Sequence, residues 1–217
     1  MLYPYNQPIL SPKPDWTTLQ NQQGLWLIHV QIRGKTIFQQ FYTCVDKTML
    51  IWAAVTTTIF FTAQFIPINW TTLALAGSIL TLMAMAIMWN QTWVWVMSEK
   101  VPWLIYWWVF LMLGGIALTD VSLVWGWSPI LISLCPLWLG LCGLGYLGTG
   151  WALQSRSFFL GAGFHFLGLA ILPGFPQWQY LVTGFIISGT LVLFCERRWD
   201  MGPKSDDDIS LGSINTH

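Results

Sequence analysis

The chain has 217 residues, of which 55% are hydrophobic, 16% aromatic and only 8% charged. A water-soluble domain carries roughly 25% charged residues, so this composition excludes a soluble enzyme and a secreted disulfide scaffold, and makes lipid the main solvent. Nine Lys/Arg balance nine Asp/Glu, which leaves no basic surplus for phosphate contacts and excludes a nucleic-acid binder.

Residues 1–46 come before the first long apolar run and read as a cytoplasmic N-terminal segment. Pro4, Pro8, Pro12 and Pro14 keep its first part extended. No apolar stretch there resembles a signal peptide, so the first membrane helix is expected to direct insertion. From Trp26 the pattern alternates: Trp26, Ile28, Val30 and Ile32 on one side, Leu27, His29, Gln31 and Arg33 on the other. Gly34-Lys35 suits a two-residue type II′ turn. Thr36 to Thr43 would then return, with Ile28 opposite Phe41 and Ile32 opposite Ile37. The competing expectation is an amphipathic interfacial helix from Thr36 through Val45. Gly34-Lys35-Thr36 is no phosphate loop, because no glycine stands five positions earlier.

Six apolar stretches follow, at residues 47–66, 70–96, 103–119, 129–150, 157–172 and 178–195. Each approaches the ~20 residues a bilayer crossing needs, the fifth being short. The links between them are brief, so consecutive helices should be antiparallel neighbours. The expected fold is an all-α integral membrane protein, a six-helix transmembrane bundle of three antiparallel hairpins over 47–195. Pro136 cannot donate to the carbonyl of Ile132 and should kink the fourth helix. That helix also carries Gly140, Gly143, Gly145, Gly148 and Gly150, which fall on no single stripe and read as packing positions within the chain.

Six crossings put all nine basic residues on one side: Lys13, Arg33, Lys35, Lys47, Lys100, Arg156, Arg197, Arg198 and Lys204. Basic residues collect on the cytoplasmic side, so both termini are expected in the cytoplasm or a stroma. Many of the 16 tryptophans cluster at the two predicted boundaries, as interfacial belts do. The tail, 196–217, is polar and acidic and reads as disordered.

Few residues inside the spans could carry chemistry. His165 lies mid-way along the fifth, with Gly161, Ala162, Gly168 and Leu169 on its face. Small residues face other helices, so His165 should point into the bundle. There it would either hydrogen-bond across a helix pair or act as a cofactor-binding residue, the axial ligand of a haem or chlorophyll, or as a proton relay. Asp120 is expected to close the third helix at the start of a loop, as a solvated residue or a cation or proton port. The amides Gln64, Asn90 and Gln91 read as interfacial groups satisfying backbone or head groups. Asn69-Trp70-Thr71 matches a glycosylation acceptor, but the link is too short to leave the membrane surface. Cys44, Cys135, Cys142 and Cys195 show neither a disulfide nor a zinc spacing and read as core residues, with lipidation of an edge cysteine the alternative. No hydrolase, metal-enzyme or phosphoryl-transfer motif is present. The expected function is that of a polytopic membrane protein with no catalytic centre of its own, an accessory, assembly or scaffold subunit beside other membrane-protein subunits. The alternatives are a small transporter or channel, and a pigment- or haem-binding protein using His165.

Overall fold

The computed structural model describes residues 8–13, 26–32 and 35–200. Three short strands come first: β1 (Leu10–Pro12), β2 (Trp26–Ile32) and β3 (Lys35–Tyr42). The helices are α1 (Cys44–Phe65), α2 (Trp70–Ser98), α3 (Trp103–Trp125), α4 (Ser128–Ile132), α5 (Leu134–Leu153), α6 (Arg156–Ile171) and α7 (Gln179–Glu196), with a 3₁₀ turn at Leu172–Gly174 and a last strand, β4 (Arg197–Trp199). The acidic tail lies outside the described residues.

β2 and β3 form the antiparallel hairpin that the alternation predicts, and no helix runs through Thr36. The register differs from the expected one. Ile32 pairs with Lys35 and Ile28 with Gln40, and a bulge follows Val30. Lys35 is already paired, so Gly34-Lys35 is not the loop; residues 33–34 lie outside the described residues. Moving a two-residue loop by one position moves every pair beyond it, and the bulge adds one more residue to the returning strand.

α1 starts three residues earlier than expected, at a capping box. Thr43 Oγ1 accepts the Asp46 N–H at 3.2 Å, and Asp46 Oδ2 accepts the Thr43 N–H at 2.9 Å. α2 is capped by Asn69, whose Oδ1 accepts the Thr71 N–H at 2.8 Å. α3 continues to Trp125 and stops at Gly126, which adopts φ 63°. Nothing between Thr119 and Trp125 breaks a helix, and a left-handed glycine does. Asp120 thus lies inside α3 and not in a loop, a correction to its expected place.

Five helices are long and apolar enough to cross a membrane: α1, α2, α3, α7 and α6 with its 3₁₀ extension. α5 is 20 residues long but is not among these five. The helix expected over 129–150 is broken in two at Ser133. Pro136 is the cause, since it leaves the Ile132 carbonyl without its intrahelical donor.

The helices close into a ring. α1 packs along α7, α7 and α5 both meet α6, α5 meets α3, and α2 joins α3 back to α1. Glycines permit the closest approaches. A Cβ at Gly184 would lie 2.7 Å from Phe60 of α1, and one at Gly161 would lie 2.8 Å from Phe194 of α7. The scattered glycines of α5 serve two faces. Gly145 and Gly148 receive Trp108 and Trp107 of α3, while Gly143 and Gly150 receive Phe166 and Phe159 of α6.

Candidate functional site

One group of polar side chains gathers where the chain enters α1 and leaves α7. β1 pairs antiparallel with β4, Leu10 against Trp199. Lys13 Nζ donates to Asp46 Oδ2 at 2.7 Å and lies 4.5 Å from the Tyr42 ring centroid. Tyr42 Oη donates to Glu196 Oε1 at 2.7 Å. Burial and the neighbouring Glu196 carboxylate push the Tyr42 hydroxyl well above its ordinary pKa.

Asp200 is the centre of this cluster. The first N–H groups of α6 have no partner in their own helix, and Ser155 offers no side-chain cap to them. Asp200 supplies the acceptors. Its Oδ1 receives the Ser157 N–H at 3.0 Å and the Ser155 hydroxyl at 3.0 Å. Its Oδ2 receives the Arg156 N–H at 3.1 Å and the Arg156 Nε–H at 2.8 Å. Ser157 Oγ stands 2.6 Å from both Asp200 Oδ1 and Ile9 O, and donates its one proton to either. Burial works against the charge, yet the donors from Ser157, Arg156 and Ser155 outweigh it and hold the carboxyl down at about 2. The positive end of the α6 dipole acts in the same direction.

Asp120 is met by a different partner. Ser78 Oγ of α2 lies 3.0 and 2.9 Å from its two carboxylate oxygens. Gln64 joins α1 to α7, donating to Gln177 O at 2.9 Å and accepting the Leu181 N–H at 3.2 Å.

His165 is fully buried, as its small-residue face predicts. Its hydrogen bond is not across a helix pair. Nδ1 donates 2.8 Å to Gly161 O, one turn back on the same helix. Nε2 has no partner among the described residues. The ring packs against Tyr146 of α5, with centroids 4.8 Å apart, and Tyr146 also meets Phe158, Phe194 and Trp108. The Tyr146 hydroxyl also has no partner among the described residues. Among the described residues, no three of His, Cys, Asp and Glu gather in a metal-holding group.

A cavity of about 510 Å³ opens between α1, α2, α3, α5 and α7. Its walls are aliphatic and aromatic, and Tyr146 reaches it while His165 does not. Most hydroxyls on its walls are satisfied by the helix that carries them: Thr56 by Trp52 O, Thr81 by Gly77 O and Thr92 by Met88 O.

No protein-family model, curated protein or solved structure matches this chain. What the arrangement can do therefore follows from its own chemistry.

The sequence left one signal unused. Thr43-x-x-Asp46 ahead of an apolar run is a readable capping box, and it marks where α1 begins and where Lys13 anchors. Asp200 gave no comparable sign. Its partners lie more than 40 positions away, and nothing in the local sequence distinguishes it from a tail carboxylate.

Proposed function

We propose that the chain is a six-span membrane protein with both flanking segments on the cytoplasmic or stromal side, and that it serves as an accessory, assembly or scaffold subunit of a larger membrane complex. The six-span count is supported by the β1–β4 pair, which brings residues from before α1 beside residues from after α7. Such neighbours require an even number of crossings. Five apolar helices plus the 20-residue α5 supply six, and the basic residues then all fall on one side.

The accessory role is carried by one observation, the use to which the ionisable side chains are put. Lys13 and Asp46, Tyr42 and Glu196, and Arg156 and Asp200 hold the termini to the helix ends. Asp120 is engaged by Ser78, and His165 by its own helix. The two ion pairs, the Tyr42–Glu196 bond and the Ser78–Asp120 bond each tie separate elements into one arrangement of the bundle. A transporter needs polar groups that exchange partners between two states. Against this rigid interior, the outward faces carry large apolar side chains such as Phe110, Val124 and Phe185, suited to lipid and to neighbouring helices.

The test is isolation of the tagged chain from its native membrane in mild detergent after brief cross-linking. One membrane protein recovered in stoichiometric amount is the expected result. Recovery of the chain alone, together with solute flux into vesicles that contain only this protein, would overturn the proposal in favour of a transporter.

A further inference from the structure

We infer that the cavity between α1, α2, α3, α5 and α7 is a binding site for a membrane-soluble ring that carries a carbonyl oxygen, a quinone-type molecule with an apolar chain. The inference needs the chain to lie in a bilayer, but it does not depend on the accessory role.

The volume, about 510 Å³, lies in the range of small-molecule sites. The decisive feature is a pair of indoles. Trp52 of α1 and Trp138 of α5 both line the cavity and both pack beside Met85, Leu111 and Met112. Trp107 and Trp108 nearby place their N–H groups on Leu144 O and on Thr149 Oγ1, at 3.2 and 3.0 Å. Trp52 and Trp138 donate to nothing among the described residues. A polar hydrogen in hydrocarbon without an acceptor is costly, so the occupant that suits this cavity brings an acceptor to it.

Depth decides which acceptor. At a rise of 1.5 Å per residue, Trp52 lies about 12 Å from the nearer end of α1 and within about 5 Å of its middle, and Trp138 lies one turn inside α5, about 6 Å from its start beside the break at Ser133. A phospholipid keeps its ester carbonyls at the edges of a hydrocarbon core ~30 Å thick. Those oxygens stand about 10 Å or more from the Trp52 indole, so an acyl chain would fill the space and leave that donor unpaired. A ring that dissolves in the core and carries its carbonyl there reaches it. The remaining aromatic walls, Trp108 and Tyr146 among them, offer faces against which such a ring packs.

The test uses the full-length protein in phospholipid nanodiscs and two tritiated probes with the same tail: a decyl-substituted benzoquinone and decylbenzene. The expected result is saturable binding of the quinone at one site per chain, with decylbenzene at least tenfold weaker. Trp52→Phe and Trp138→Phe keep the ring and remove the N–H. Each should weaken quinone binding about 3–10-fold, the loss of one neutral hydrogen bond. Trp125→Phe, at an exposed position outside the cavity, should leave it unchanged. Equal binding of the two probes would overturn the inference in favour of a site for chains alone, and this comparison needs no variant. Absence of saturable binding, or unchanged affinity in both indole variants, would overturn it as well. None of these results bears on partner recovery from the native membrane, so the two readings fail separately.

Discussion

Replacing Asp200 should open the sealed end of the bundle. The carboxyl is held at about 2 against an ordinary 3.8, and its side chain is only 6% exposed. At 1.36 kcal/mol per unit, the ionised form contributes roughly 2 kcal/mol of stability at neutral pH. Asp200→Ala also leaves the Arg156 and Ser157 N–H groups without acceptors, so the loss should reach about 3 kcal/mol. For a chain of this size that lowers the melting midpoint by roughly 6–12 °C. The four free cysteines are buried or partly buried, so a thiol-reactive dye in detergent reports unfolding directly. The sign with pH is fixed by the direction of the shift. A folded pKa below the unfolded one gives stability that is complete above pH ~4 and is lost as pH falls toward 2. Asp200→Asn should therefore lose most stability at neutral pH and converge on the wild type near pH 2. A midpoint within 1 °C of wild type for Asp200→Ala at pH 7, or parallel pH profiles for wild type and Asp200→Asn, would refute the reasoning.

Three further outcomes can be checked by the same melting assay. Gly184→Ala should cost about 1–3 kcal/mol, because the new Cβ would meet Phe60 at 2.7 Å, whereas Gly163→Ala, with nothing within 4 Å, should be neutral or up to ~1 kcal/mol stabilising. Ser78→Ala should cost about 1–2 kcal/mol by removing the donor that meets both oxygens of Asp120. Tyr146→Phe should be neutral or slightly stabilising, since it deletes a buried hydroxyl with no partner among the described residues; a loss above 1 kcal/mol would contradict that environment.

The parts of this molecule that were legible in its sequence are those fixed by neighbours along the chain. Alternation from Trp26 announced the hairpin, and Gly161, Ala162 and Gly168 announced that His165 turns inward. Pro136 announced a kink in the fourth apolar stretch, which takes the form of a break at Ser133. What remained hidden depends on residues brought together from far apart. Asp120 reads as a loop carboxylate until Ser78, 42 positions earlier, is seen to engage it. The hairpin register turned on a one-residue choice of loop that alternation alone does not make. The scattered glycines of α5 form no stripe because they serve tryptophans on one side and phenylalanines on the other. Asp200 caps a helix that begins 44 residues before it, and no local pattern encodes that.

The strand and carboxylate that seal the bundle also set an order of events. Ile9 O accepts the Asp200 N–H at 3.3 Å, yet these two residues are made about 190 positions apart. At 5–20 residues per second, Ile9 waits on the order of 10–40 s for its partner. Through that interval β1 has no β4 to pair with, and the first N–H groups of α6 have no acceptor. The end of the bundle can therefore close only after α7 has been made and Asp200 has followed it. A ribosome that stops before Asp200 leaves an open end with exposed backbone donors, which distinguishes such a chain from one that has passed it.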